Sequence, residues 1–186
     1  MKDALAIHRM LLERETLHEI VRLPRAIANA DELPKALGLP AKHCLATRVY
    51  LVDPATQGEP YLAAVVVNAG VRPRTEALIG LLGARRVRGA PADAVNAATE
   101  YAAELVAPLL LPDDLPLFIE QRAIDNLHVD HVVYTTTGES RTALGIRALD
   151  LFALCGGKPV DLPPGTPMLR RARARRAAVT GGARKG

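Results

Sequence analysis

The stretch HCLATRVYLV (43–52) predicts the strand on which the fold depends. Val, Tyr and Thr are typical of strands, and the polar residues before them suit a turn that leads into one. We expect the strand to cover residues 45–52. Because side chains two positions apart on a strand point the same way, Ala46 and Arg48 should share a face.

The residues that follow extend this strand into a hairpin. DPATQGEP (53–60) is rich in turn formers, and YLAAVVVNAG (61–70) is a continuous apolar run. Such a run is typical of a strand that is covered on both faces. The sequence therefore predicts two paired strands, the second of them fully buried.

Periodicity and turn residues place the remaining elements. Helices are predicted over 4–14, 31–37, 74–83, 91–105 and 148–154, and strands over 16–23, 85–90, 115–124, 128–138 and 144–146. Gly38 is expected to end the second helix. Because hairpins alternate with crossovers, we predict an α+β fold with one mixed β-sheet or an open barrel, flanked by helices.

Composition narrows the class of protein. About half of the 186 residues are hydrophobic, whereas 3% are aromatic and none is Trp. An aliphatic core fits these numbers, but RNA readers that stack bases on aromatic rings do not. No apolar run nears the roughly 20 residues that span a bilayer. Two cysteines without a CxxC motif suit a reducing compartment. We expect a cytoplasmic protein without membrane contact.

The positive charge is concentrated at the end of the chain, where every charged residue from position 170 onward is basic. We predict one domain over 1–160 and a linker with an Arg-rich flexible tail over 161–186. The tail arginines either neutralise nucleic-acid phosphates or solubilise a disordered end. The candidate nucleic-acid contacts are Arg170, Arg171, Arg173, Arg175 and Arg176.

Six phrases along the chain carry a resemblance to a known family. They are LHE (17–19), ADELPKALGLPAKHCLAT (30–47), AAVVVNAG (63–70), LLGARRVR (81–88), EYAAELVAPLLLPDDLPLFIE (100–120) and VVYTTTG (132–138). In that order they resemble the YbaK / prolyl-tRNA-synthetase-associated editing domain family over about residues 12–154. The resemblance implies the family's fold and its activity, the hydrolysis of mischarged aminoacyl-tRNA.

Two positions depart from the family pattern. The strand that usually reads Lys-Thr-aliphatic reads Ala46-Thr47-Arg48, and Glu104 stands where the loop has glycine, while Pro108 is kept. The resemblance implies that the lysine meets the tRNA end near the ester. Arg48 either restores that cation, by reaching back along the shared face, or lies at the sheet rim and extends to solvent.

The resemblance suggests further site residues. The turn TTTG (135–138) either hydrogen-bonds ribose or carbonyl groups, or reflects only strand propensity and a glycine turn. His18 is either a pocket residue or a structural histidine. The predicted catalytic residues are Arg48 and Gly138, and the predicted substrate-binding residues are His18, Ala46, Thr47, Val106, Pro108, Thr136 and Thr137.

Several other chemistries are not indicated. On a strand, His128 and Asp130 would share one face and His131 would point to the other, so we expect no metal site. Cys44 acts as a nucleophile only if its pKa is lowered. The single serine, Ser140, lies outside any nucleophile motif, and no glycine-rich phosphate loop occurs. We expect no cofactor.

Two functions stay open. The first is a trans-acting aminoacyl-tRNA deacylase with an altered active site. The second is a catalytically silent module of the same fold that binds an aminoacyl or nucleotide-like ligand, tRNA or a protein partner, as the loss of both family residues suggests. The expected partner is the aminoacylated 3′ end of tRNA, with a synthetase as an open second partner, and no DNA is expected.

Overall fold

The computed structural model of the chain describes residues 1–125, 127–128 and 130–163. The strands in these ranges are β1 His18–Arg22, β2 Leu45–Pro54, β3 Tyr61–Asn68, β4 Ala84–Gly89, β5 Leu117–Glu120, β6 Val132–Thr136, β7 Thr142–Arg147 and β8 Lys158–Val160. The α-helices are α1 Ala4–Glu13, α2 Leu33–Leu37, α3 Thr75–Leu82, α4 Ala92–Thr99, α5 Gln121–Asp125 and α6 Ala148–Cys155. No helix in this part of the chain is both long and apolar enough to cross a membrane.

The strands form two sheets. The larger has the order β4-β2-β3-β5-β8, in which β2 pairs antiparallel with β3 and β4, and β5 pairs parallel with β3 and β8. The smaller is antiparallel, with the order β1-β7-β6. A parallel bridge between Cys44 and Tyr134 joins the two sheets. The predicted α+β class with a mixed sheet is confirmed, and the second sheet adds to it.

The predicted hairpin of β2 and β3 carries the core. β3 is buried from Ala63 to Asn68, because both of its faces are covered. On one face, Ala46 and Val65 pack in an apolar cluster with residues of α2 and α3. On the other face, Val66 packs in a second cluster with residues of α1 and α6.

The alternation along β2 matches the sequence-based expectation. Its pairing with β3 runs without interruption from Leu45 to Val52, and the ladder with β4 becomes irregular only between Asp53 and Pro54. Ala46 and Arg48 therefore lie on one face of the sheet, as predicted.

Helix α4 is shorter than the predicted helix over 91–105. It ends at Thr99, because Glu100 adopts a left-handed φ of +61°. Lys2 binds this end of the helix: its amide donates to the Glu100 carbonyl at 2.7 Å, and its Nζ donates to the Thr99 carbonyl at 3.1 Å. The predicted helix end was wrong because these contacts join residues almost a hundred positions apart, and local periodicity carries no sign of them.

Two predicted strands are also too long. The segment predicted as a strand over 115–124 is β5 followed directly by α5. The strand predicted over 128–138 begins only at Val132, so His128 and His131 precede it. The side-chain alternation that we used to argue against a metal site at these histidines therefore does not apply.

The packed core continues to the last described residues. Leu162 is almost fully buried, and its carbonyl accepts a hydrogen bond from Arg122 at 2.9 Å. Residues 164–186, which include the candidate nucleic-acid contacts of the tail, lie outside the described ranges. The domain boundary at 160 and the tail stay predictions.

Gly138 lies where no side chain fits. Its φ is +92°, and a Cβ atom there would come 2.5 Å from the Lys2 carbonyl oxygen and 2.8 Å from a ring carbon of Tyr101. Gly38, which ends α2 as expected, has a φ of +67° but nothing within 4 Å of its Cβ position. The two glycines thus share a backbone requirement and differ in the space around them.

We expect Gly138→Ala to lower the free energy of unfolding by about 2–4 kcal/mol, because backbone strain and overpacking add. The matched control, Gly38→Ala, should lose only the strain of about 1–2 kcal/mol. Urea unfolding of both variants measures the difference. Equal losses would show that the contacts with Lys2 and Tyr101 do not restrict position 138.

Candidate functional site

A cavity opens where β4 separates from β2. β4 pairs with β2 from Tyr50 to Pro54, and the Ala90 amide then donates to the Val49 carbonyl at 3.1 Å. Helix α4 and the 3₁₀ turn Ala103–Leu105 close the other side. This edge cavity has a volume of about 140 Å³ and is lined by Thr47, Arg48, Val49, Tyr50, Arg72, Gly89, Ala90, Ala92, Val95, Ala103 and Glu104.

The Arg48 guanidinium is buried in the cavity wall and bound by Asp31. Arg48 is 8% exposed, and its Nη2 pairs with the Asp31 carboxylate and donates to the Val71 carbonyl at 3.3 Å. The same carboxylate accepts from the Gly70 amide at 2.7 Å and from Arg72 at 3.2 Å. We call this group the Asp31 clamp. Because of it, the guanidinium does not extend to solvent at the sheet rim.

Two polar atoms in the cavity wall have no hydrogen-bond partner. They are Thr47 Oγ1 and Arg48 Nε, and both residues are more than nine-tenths buried. A buried donor without a partner costs roughly 1–3 kcal/mol unless water or a ligand meets it. One further such atom in the described ranges, Thr135 Oγ1, belongs to a residue that does not line the cavity. Both atoms have almost no accessible surface, so a ligand in the cavity reaches them only when side chains of the wall move.

The cavity wall also carries a phenol and a carboxylate. Burial raises the pKa of Tyr50, although the nearby Arg48 and Arg72 lower it. The phenol thus stays protonated at neutral pH and can donate a hydrogen bond. Glu104 is exposed on the opposite wall and forms no ion pair or hydrogen bond with any described residue. The wall therefore combines donors on one side with an unpaired anion on the other.

Of the predicted site residues, the structure brings Thr47 and Arg48 together in the edge cavity. The threonine turn and the loop that contains Glu104 also touch: Thr136 Oγ1 donates to the Val106 carbonyl, and the Gly138 amide donates to the Leu105 carbonyl, each at 2.9 Å.

Two of the three hydroxyls of the threonine turn are used within the protein, and the third, Thr135 Oγ1, has no partner. Thr136 binds the loop, and Thr137 Oγ1 lies 2.6 Å from Thr142 Oγ1. Thr136, Thr137 and Val106 are all buried. Their contacts with substrate, like the catalytic role of Gly138, stay predictions, because the contacts made in this structure are with other parts of the chain.

Three predicted residues lie elsewhere. Ala46 is fully buried in the apolar cluster beneath β2. Pro108 lines a separate cavity of about 510 Å³ between α1, the 108–117 loop and the end of α6. His18 lies in a shallow groove, with its Nε2 2.8 Å from Nδ1 of His8. The predicted set is thus divided among several places.

Neither the histidines nor the cysteines form a reactive centre. The His131 ring lies 5.3 Å from that of His43 and 4.9 Å from that of His128, but no group of His, Cys, Asp or Glu among the described residues could hold a metal ion. Burial raises the pKa of Cys44 to about 12. The lowered pKa that a nucleophile requires is therefore absent at this thiol.

Sequence reasoning missed Asp31, the residue that holds Arg48. The Asn29 side chain caps the turn that precedes α2 by accepting from the Asp31 amide at 3.0 Å. The Asp31 carboxylate is therefore free to face β2. Two residues of the capping type within three positions were the signal available in the sequence.

A second missed feature is the basic edge of the larger sheet. β4 is an edge strand, and Arg85, Arg86 and Arg88 are exposed along it. Leu51 of β2 pairs with Arg88, so that arginine lies one residue from Gly89 in the cavity wall. The edge thus places positive charge beside the cavity.

Solved structures share this fold. A candidate trans-editing enzyme for prolyl tRNA synthetase matches with a TM-score of 0.68 and 21% identity, over 86% of this chain and 95% of that chain. A hypothetical protein matches with a TM-score of 0.68 and 21% identity, over 84% and 97%. A scaffold protein used for computational epitope grafting matches with a TM-score of 0.69 and 22% identity, over 86% and 96%. No protein-family model and no curated protein matches the chain. The resemblance to the editing domains is confirmed at the level of the fold.

We expect Asp31→Asn to lower the free energy of unfolding by about 2–3 kcal/mol, because it leaves the Arg48 guanidinium buried without a counter-charge. Arg72→Ala, which removes the exposed partner of the same carboxylate, should cost less than about 1 kcal/mol. Urea unfolding of the two variants tests this. A loss in Asp31→Asn no greater than that in Arg72→Ala would contradict the assigned role of the clamp.

Proposed function

We propose that the protein is an aminoacyl-tRNA deacylase that binds the terminal aminoacyl ester in the edge cavity. The observation that carries the proposal is the pair of unpartnered donors, Thr47 Oγ1 and Arg48 Nε, in the cavity wall. The fold shared with a candidate trans-editing enzyme adds the reaction class by analogy.

The reaction requires positioning and charge stabilisation rather than a protein nucleophile. Water attacks the ester carbonyl carbon, and the bond between that carbon and the ribose oxygen breaks. The ribose oxygen takes up a proton and leaves as a hydroxyl group. The products are the free amino acid and tRNA. Negative charge grows on the carbonyl oxygen during the attack, and fixed donors at that oxygen stabilise the transition state. Thr47 is the donor that we assign to this oxygen. Arg48, its neighbour on β2, points to the opposite face of the strand and would act on another part of the ligand.

The Asp31 clamp determines how Arg48 would act. Nη2 is engaged by Asp31, whereas Nε has no partner. Arg48 would therefore donate through Nε to the ligand instead of gripping a phosphate with its full planar fork. This role differs from that of the family lysine, which the resemblance places near the tRNA end.

Phosphate contacts would come from the basic edge strand. Arg88 is exposed on β4 next to Gly89 of the cavity wall, and Arg85 and Arg86 are exposed further along the same strand. Exposed arginines neutralise phosphates and make binding weaken as salt rises. The tail arginines would add to this attraction in the same salt-dependent way.

The silent binding module is the second candidate, and two observations favour it. The position of the family lysine, Ala46, is fully buried among apolar residues and offers no charge. Glu104 adds a negative charge to the cavity, which opposes phosphate. A module of this kind would bind an aminoacyl ester through the same donors but would not accelerate its hydrolysis.

We expect Thr47→Val to slow single-turnover deacylation of a susceptible mischarged tRNA by about 10- to 100-fold, because one transition-state donor is lost. Thr135→Val is the matched control, since it removes the other buried threonine hydroxyl that has no partner. That variant should deacylate at the wild-type rate. The assay uses a panel of mischarged tRNAs with enzyme in excess.

The outcomes separate the two candidates. Equal rates for Thr47→Val and the wild type would remove Thr47 from the reaction. No turnover of any substrate by the wild type, together with retained binding of aminoacyl-tRNA, would leave the silent module.

A further inference from the structure

The edge cavity contains a carboxylate that the proposed reaction leaves without a role. Glu104 occupies the wall opposite Arg48 and Thr47 and forms no ion pair with any described residue. The two arginines of the cavity do not neutralise it, because both pair with Asp31. The carboxylate is exposed, so water solvates it in the free protein and it is open to a cation of the ligand.

The backbone that carries Glu104 is fixed on both sides. The Leu105 amide donates to the Ala102 carbonyl at 2.8 Å, and the Leu105 carbonyl accepts from Gly138 at 2.9 Å. Val106, the next residue, is buried and accepts from Thr136. The backbone of Glu104 is therefore held in place, whereas its exposed side chain is ordered only when a ligand binds.

We propose that Glu104 binds the free α-ammonium group of the acyl moiety, so that the site selects aminoacyl esters over N-blocked esters. This inference rests on the proposed function. An aminoacyl ester carries its cationic ammonium on the carbon next to the carbonyl. With that carbonyl at Thr47, the ammonium lies in the same small cavity as the Glu104 carboxylate.

Charge disfavours a blocked amine. Acylation of the amine removes its charge, which would leave the carboxylate facing a neutral amide.

The test is calorimetric titration with a non-hydrolysable pair of probes, 3′-glycylamino-3′-deoxyadenosine and its N-acetyl derivative. Glycine is chosen because it adds no side-chain contact. The wild type should bind the free amine about 10- to 100-fold more tightly, the range of a charge-assisted hydrogen bond. Glu104→Gln should bind the two probes with affinities within roughly threefold of each other. Glu59→Gln, an exposed turn carboxylate outside the cavity lining, should keep the wild-type preference.

Equal affinities in the wild type, a preference that survives Glu104→Gln, or no binding of either probe would each overturn the inference. Failure of the proposed function is a different result. A preference that depends on Glu104, together with no hydrolysis of any mischarged tRNA, would support the ammonium site and contradict the proposed deacylase activity.

Discussion

The site depends on one ionic interaction, the pair between Arg48 and Asp31. A guanidinium that is 8% exposed requires a counter-charge, and Asp31 supplies it from a turn 17 residues earlier in the chain. The same carboxylate binds the Gly70 amide and Arg72. It thereby joins the turn before α2, the middle of β2 and the residues that follow β3. Because Nη2 is held in this way, Nε keeps a fixed position in the wall of the edge cavity.

This constraint changes what Arg48 can offer to a ligand. Arg48 shares a face with Ala46, as the alternation of a strand requires. Its charge, however, is balanced by Asp31 within the protein. The residues that line the cavity therefore include one buried, unpartnered donor on each face of β2 and an unpaired carboxylate, but no free cation on β2. Such a site suits a small group that has both a carbonyl and an ammonium.

The local part of the fold could be predicted from the sequence, and the long-range part could not. Alternation and turn residues were enough for the β2–β3 hairpin, for the burial of β3 on both faces and for the end of α2 at Gly38. The end of α4 is set by Lys2, and the change from strand to helix at Gln121 falls in the polar run 120–122 without a Gly or Pro to mark it. Neither feature leaves a periodic signal.

The site residues were likewise only partly predictable from the sequence. Strand parity and the family phrases led to Thr47 and Arg48, which do share the cavity. His18 and Pro108 were chosen from the order of the phrases alone, and folding carries them to other surfaces. Asp31 could not be assigned, because its role depends on Asn29 having already capped the turn.

The most direct test of the account is where an aminoacyl ligand binds. Heteronuclear NMR during titration with 3′-glycylamino-3′-deoxyadenosine follows the Arg48 Nε–H and the backbone amides together. We predict that the largest shifts occur at Arg48 Nε and at the amides of Thr47 and Ala90. Shifts confined to the 108–117 cavity or to the groove at His8 and His18 would contradict the account.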